Sequence, residues 1–413
     1  MGESLQTNIV CRAATQEELP QVMKLWETCF DDTIKFVLWY FSRYWKAEHT
    51  LCIYEQRQTE DVLQASAQVI PYELQLRNAN IPCGYIVGVD TAPEARNKGY
   101  AKRLLKECLK MQKDNQQVIS LLMPFEGQFY YRYGWPFCYF HQRLVIEPQE
   151  LRCIAQPWGT VRKTGLFEAQ RELESVYRQF VECYHGTVNR SAEQWRLQLE
   201  DAQLEHTACF LIEDEQHTVQ GYFLWTPLKG KCFVREMAWC HERAKRGMLH
   251  YLMKNVAEGE KLWLELPDDD DLKYHLAASK TDVVLYPFLM ARIVDVEQCL
   301  KMLSYPPLQV NLLLTIEDAF AEWNTGSYYL ETQNGQVRVS KVTADALDQL
   351  RSSGNYEVTM SIDSLSQLVM GARSAADLMR HELLDCQDAV RETIVQVLNQ
   401  LWPEQKNYIN EYY

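Results

Sequence analysis

The run from residue 84 to 123 constrains the fold more than any other part of the chain. A strand-like segment (84–91) leads through a short loop into a helical stretch (101–112). An apolar strand, QVISLLM (117–123), follows. Strand, helix and buried strand in that order make an α/β unit, since each element hides its apolar face only against the others. The preceding residues fit the same scheme. Residues 15–26 read as a capped amphipathic helix, 34–45 as an aromatic-rich helix, and 50–54, 65–71 and 72–77 as strands.

The connection inside this unit carries chemistry. At the helix start, near Gly99, unpaired backbone N–H groups and the positive end of the helix dipole form an anion site. Gly99 removes a side chain where a phosphate would approach, Ala101 keeps the next contact small, and Arg96, Lys98 and Lys102 add positive charge. Neither G-x-G-x-x-G nor the P-loop pattern is present. Taken alone, Arg-x-x-Gly-x-Ala serves equally well as an ordinary strand-to-helix turn with a solvated basic end.

With 413 residues, 47% of them hydrophobic, the chain suits two or three domains. The pattern lapses over 153–165 (CIAQPWGTVRKTG) and again near 304–307 (SYPP), which divides the chain into 1–152, 153–300 and 301–413. Strands are expected in the middle part at 209–212, 221–225 and 261–266. In the last part they are expected at 310–316, 326–332 and 337–342, before a closing helix at 389–401. PEARNKGYAKRLL around Gly99 faintly matches HERAKRGMLHYL around Gly247, with Lys98 opposite Arg246 but Arg96 opposite Ala244. A duplicated domain that lost its loop chemistry and chance similarity both explain this.

A net charge of −14 argues against nucleic acid and suits cationic partners, or plain solubility. The thirteen cysteines form no Cys-x-x-Cys pair and the nine histidines show no ligand spacing, so neither a disulfide framework nor a metal site is expected. Without a signal core or a membrane-spanning apolar run, a cytoplasmic protein is the expectation.

After the apolar strand comes PFEGQFYYRYGW (124–135). Here the chain resembles the GNAT superfamily of N-acetyltransferases, whose pyrophosphate loop is Gln/Arg-x-x-Gly-x-Gly/Ala. Within it the chain resembles the Eis (enhanced intracellular survival) group, through Glu126-Gly127-Gln128-Phe129-Tyr130-Tyr131-Arg132-Tyr133-Gly134 at the family's spacing from the loop glycine. FLMARIVDVE (288–297), EWNTGSYYLE (322–331) and SQLVMGARSAADL (366–378) extend the match over the chain. The resemblance implies an α/β (α+β) fold of tandem GNAT domains, the second degenerate, followed by a sterol-carrier-protein-like domain. It implies acetyl-CoA as co-substrate, an aminoglycoside, polyamine or protein lysine as acceptor, and a homo-oligomer such as a hexamer.

The resemblance also assigns roles. Val89, Asp90 and Thr91 would pair by backbone with the pantetheine arm. Arg96, Asn97, Lys98, Gly99, Tyr100, Ala101 and Lys102 would cradle the pyrophosphate, and Phe125 and Glu126 would border the cofactor. Asn97 departs from the family pattern, where a basic residue is frequent. Tyr130 matches the general acid, and the C-terminal carboxylate of Tyr413 the general base. The chemistry stands without analogy: amine attack on a thioester needs a base for the ammonium proton and an acid for the departing thiolate. A tyrosine of pKa about 10 is protonated at neutral pH, whereas a terminal carboxylate of about 3.3–3.7 is a weak base unless burial raises it or a water relays the proton. On composition Tyr130, among Phe129, Tyr131 and Tyr133, is a packing residue, and its spacing from Gly99 is what favours function. The aromatic ending KNYINEYY suggests a docked terminus. Trp26, Phe36, Trp39 and Tyr40 are expected mostly in the core, with one or two facing an amine pocket. The rival reading is a non-catalytic acyl-CoA or lipid-binding protein that uses its last domain.

Overall fold

The computed structural model describes residues 8–57, 61–257, 259–277, 281–352 and 355–412. They form two compact units. Of these residues, 8–138, 289–405 and 412 belong to one, and 139–288 and 406–411 to the other.

The first unit begins with β1 (Asn8–Ala13), α1 (Leu19–Cys29), α2 (Ile34–Tyr44), β2 (Thr50–Gln56), β3 (Asp61–Leu76) and β4 (Ala79–Thr91). Thr15 and Glu18 form a capping box, but they cap a short 3₁₀ turn (Gln16–Glu18), and the α-helix proper starts at Leu19 with Pro20 in its first turn. The strands expected at 65–71 and 72–77 are one strand, β3, in which Pro71 sits opposite Gly84 in the ladder. Arg77 and Asn78, both with positive φ (51° and 56°), form the two-residue turn into β4. That turn twists as the paired strands do. Next come α3 (Tyr100–Asp114), β5 (Ile119–Leu122) and α4 (Gly127–Tyr131). β1 to β4 run antiparallel in order, and β5 joins β4 in parallel. The apolar face of α3 (Leu104, Leu105, Cys108, Leu109) packs in one core with Ile53, Ala65, Ala67, Val69 and Ile86.

The chain passes to the second unit within β6 (Phe137–Ile146). There it forms β7 (Thr160–Thr164), α5 (Gln170–Val181), β8 (Thr187–Val188), α6 (Ala192–Leu204), β9 (Ala208–Glu213), β10 (Val219–Leu228), β11 (Lys231–Trp239), α7 (Glu242–Asn255) and β12 (Lys261–Pro267). It returns within β13 (Val283–Ile293). β9, β10 and β11 are antiparallel, and α7 connects β11 to a parallel β12. This is the topology of β2 to β5 again, so the second copy is real at the level of fold. Its glycine register is not. Gly99 is the N-cap of α3, whereas Gly247 lies inside α7, where a Cβ would come within 2.6 Å of Ile212 Cδ1 and of the Trp158 carbonyl. The α7 N-cap is His241, whose ring nitrogen accepts from the Ala244 N–H. The second copy therefore closes with its own side chain the helix start that the first leaves open.

The order of strands in the ladder departs from their order in the chain. β6 follows β5 in sequence but pairs through its residues His141–Ile146 with β12, and β13 follows β12 but pairs through Met290–Ile293 with β5.

The remainder of the first unit is a five-stranded sheet of β14 (Val310–Glu317), β15 (Gly326–Gln333), β16 (Gln336–Lys341), β17 (Tyr356–Ser361) and β18 (Leu384–Asp385), in the order β16-β15-β14-β17-β18. Helices Ile362–Met370 and Arg391–Leu401 bury Leu365, Leu368, Leu398 and Trp402 beside it. Arg77, at the β3–β4 turn, donates to the carbonyls of Leu368 (2.8 Å), Val369 (3.0 Å) and Pro403 (2.7 Å). The first two belong to the last turn of a helix, where carbonyls lack intrahelical donors. Among the described residues, no helix is long and apolar enough to cross a membrane.

Candidate active site

The site is built where β4 leaves its neighbour. β5 pairs with β4 only through Cys83 to Ile86. Beyond Ile86 the other side of β4 still pairs with β3, and a bulge interrupts that ladder between Val87 and Asp90. Gly88 makes the bulge: its φ is +61°, and a Cβ there would fall inside the Trp26 indole. The end of β4, including Val89 and Thr91, thus presents backbone donors and acceptors along an edge that β5 does not cover, which is what an extended amide chain needs for pairing. Asp90 is different. Its carboxylate is buried and accepts from the Ser66 N–H (2.6 Å) and hydroxyl (2.9 and 3.0 Å). Burial pushes its pKa up to about 8 in spite of those bonds.

The turn into α3 follows. Pro93–Ala95 form a 3₁₀ turn, and Arg96, Asn97, Lys98 and Gly99 are all exposed. Asn97 (φ +65°) and Gly99 (φ +82°) are left-handed. Asparagine tolerates that region better than a long basic side chain, which accounts for the departure at this position. A Cβ on Gly99 would meet no atom within 4 Å. The glycine therefore serves the backbone conformation rather than relieving contact within the protein, and its N-cap has no side-chain bond. The first N–H groups of α3, with Arg96, Lys98 and exposed Lys102, make an open positive cradle of the kind that binds pyrophosphate. Tyr100 is buried below it in the α3 core, and Ala101 is half-buried.

Beyond β5, Phe125 is almost wholly exposed (98%), and Glu126 caps α4 by accepting from the Gln128 N–H (3.3 Å). Tyr130 lies on the buried side of this five-residue helix, in one core with Ala95, Tyr100, Leu104 and Cys108. Its carbonyl accepts from the N–H groups of Tyr133 (2.9 Å) and Trp135 (3.4 Å), and the Trp135 indole donates to Ser120 Oγ on β5 (3.2 Å). Burial first, then Cys108, pushes the Tyr130 hydroxyl up to about 12. The unshifted tyrosine assumed from the sequence is therefore corrected.

Of the aromatic residues on α1 and α2, Trp26 and Tyr40 are buried and Phe36 and Trp39 half-buried. The Trp26 and Tyr40 rings stack with centroids 4.9 Å apart, and Tyr40 donates to Gln68 (2.5 Å). Gly88 escaped sequence reasoning, although a glycine inside a strand is a bulge signal.

Tyr413 lies outside the described residues. The preceding tail, Lys406–Glu411, is docked in the second unit. The His185 N–H donates to the Lys406 carbonyl (2.8 Å), and the His141 ring meets the Ile409 carbonyl (2.8 Å). Arg190, buried, holds Glu411 (2.8 Å) and Glu236 (2.7 and 3.1 Å) together, and Tyr222 and Asn410 also donate to Glu236.

Family models match three stretches: an acetyltransferase (GNAT) domain over residues 10–138, another acetyltransferase (GNAT) domain over 186–293, and a sterol carrier protein domain over 296–410. Among curated proteins, none is similar to this sequence. Three solved structures share the fold over nearly the whole chain. A probable N-acyltransferase of unknown function from Enterococcus faecalis V583 has TM-score 0.84 and 19% identity, covering 99% of this chain and 100% of that one. A GCN5-related N-acetyltransferase from Anabaena variabilis has 0.82 and 19%, covering 98% and 100%. Eis1 from Mycobacterium abscessus has 0.74 and 15%, covering 98% and 100%. The GNAT fold implies an acyl-CoA co-substrate, which suits the open edge of β4 and the cradle at α3. The chain thus carries two GNAT acetyltransferase domains followed by a sterol carrier protein domain, and it shares over nearly its whole length the fold of Eis1.

Proposed function

We propose that the first GNAT domain transfers the acetyl group of acetyl-CoA directly to an amine. The observation that carries this reading is the open edge of β4 leading into the uncapped, basic start of α3, a backbone track continuous with an anion cradle. The amine lone pair attacks the thioester carbon, and collapse of the adduct breaks the C–S bond. The Tyr130 hydroxyl protonates the sulfur, and the C-terminal carboxylate of Tyr413 accepts the proton that the ammonium loses. The products are an amide and coenzyme A. With Tyr130 near 12 and a free thiol near 8.5, proton donation is uphill by roughly 5 kcal/mol at the start. The gap narrows at a desolvated sulfur, whose own pKa rises, so the hydroxyl gives its proton late, as the C–S bond breaks.

The net charge of −14 favours cationic acceptors: aminoglycosides, polyamines or lysine side chains. A cytoplasmic homo-oligomer completes the reading, supported for the compartment by thirteen free cysteines. Thiol release from acetyl-CoA with a panel of such amines tests it. Acetylation of at least one is expected, and acyl-CoA or lipid binding without turnover on any amine would favour the non-catalytic alternative.

A further inference from the structure

The glycine that ends the Tyr130 motif is explained by a residue far away in the sequence. Gly134 has φ +89°, and a Cβ on it would collide with the guanidinium of Arg292 and lie 2.8 Å from Ile362 Cγ2. Arg292 is the cation within the apolar strand β13, and its side chain is fully buried. One Nη donates to the carbonyl of Tyr133, and the other to the carboxylate of Asp318. Nε has no hydrogen-bond partner among the described residues. The guanidinium also lies over the rings of Trp135 (5.1 Å) and Phe320 (5.7 Å). Asp318 belongs to the stretch matched by the sterol carrier protein domain and is itself fixed. It accepts from the N–H groups of Phe320 (3.1 Å) and Ala321 (2.9 Å) and from Asn324 Nδ2 (3.0 Å).

A pair placed only for stability would do as well with an apolar side chain, since a buried ion pair gains little over packing. Here the fork leaves Nε unsatisfied while reaching a backbone carbonyl in the turn that closes α4. That turn is short. The Tyr130 carbonyl receives the N–H groups of Tyr133 and Trp135, so the position of Tyr133 fixes that of Tyr130.

We infer that Arg292, oriented by Asp318, is a positioning residue for Tyr130, through which the sterol-carrier-type domain sets the angle of the acid toward the thioester. This rests on the assignment of Tyr130 as the acid. The planar fork matters: a lysine keeps the charge but not the two fixed donor directions.

The test uses the full chain with acetyl-CoA and the best amine from the panel. Arg292→Lys is expected to lower kcat by about tenfold to a hundredfold, the effect of a displacement near 1 Å, with the dissociation constant for acetyl-CoA unchanged by calorimetry. Asp318→Asn, which keeps shape and most hydrogen bonds, should do the same more mildly, and it serves should Arg292→Lys fail to fold. The deciding measurement is the double variant. On a Tyr130→Phe background neither substitution should lower kcat further, because the group they position is gone. A wild-type kcat in a folded Arg292→Lys or Asp318→Asn protein overturns the inference, as does a full multiplicative loss on the Tyr130→Phe background. A wild-type rate for Tyr130→Phe alone overturns instead the acid assignment beneath it.

Discussion

Replacing Arg190 by methionine removes one cation from between two buried carboxylates, and its consequence follows from the geometry. Arg190 is fully buried, donates to Glu411 and to both oxygens of Glu236, and lies over the rings of Tyr177 (4.0 Å) and Trp195 (4.7 Å). Breaking a buried ion pair by deleting one partner costs about 3–5 kcal/mol, because the remaining charge is stranded. Glu236 keeps Tyr222 and Asn410 as donors, and Glu411 keeps Gln198, so the lower end of that range applies. At roughly 2–4 °C per kcal/mol for a domain of this size, the second unit should melt about 6–12 °C lower. Glu411→Gln provides the contrast. It keeps the volume, leaves Arg190 paired with Glu236, and deletes the carboxylate whose pKa burial raises, so it should cost under about 1 kcal/mol. Calorimetry on both variants, with hydrogen exchange on the C-terminal peptide, reads the difference: Arg190→Met should expose the amides of Lys406–Glu411, and Glu411→Gln should not. If the two variants melt together, or if the tail stays protected without Arg190, the clamp is not what docks the chain end.

Tyr130→Phe should reduce kcat by about 10²–10⁴-fold while acetyl-CoA binding persists, and wild-type Tyr130 should impose no alkaline decline below about pH 12. Deleting Tyr413, or extending the chain beyond it, should abolish turnover without shifting the melting temperature; unchanged turnover removes its carboxylate as base. Asp90 has a folded pKa of about 8 against 3.8 when unfolded, so the native state holds its proton more tightly. Stability should therefore fall as pH rises from about 4 to 8, and Asp90→Asn should flatten that slope in urea titrations. Gly88→Ala forces a methyl group into the Trp26 ring at a left-handed position, and should cost about 1–3 kcal/mol and weaken acetyl-CoA binding measured by calorimetry.

What could be read from the sequence was local. Residues 84–123 showed strand, helix and strand because each has its own periodicity, and α3 and β5 fall within a few residues of the expected bounds. Gly99 was recognised as special, though for contact rather than for its φ of +82°. The roles of residues at long sequence separation left no comparable trace. Arg292 is one cation in an apolar run, and nothing nearby in sequence says that it meets Tyr133 and Asp318. The repeat around Gly247 pointed to a true duplication through a glycine that does a different job, packing against Trp158.

The crossed order of these strands carries a consequence for how the protein is made. β5 lacks its partner β13 until residues near 290 have been synthesised, well after the second GNAT domain has begun to emerge. Until then β5 offers an unpaired apolar edge to any strand that passes, and β6 waits for β12 in the same way. Neither half can finish first on the ribosome. A gene fragment ending after the first GNAT domain should yield an aggregating product rather than a small working acetyltransferase.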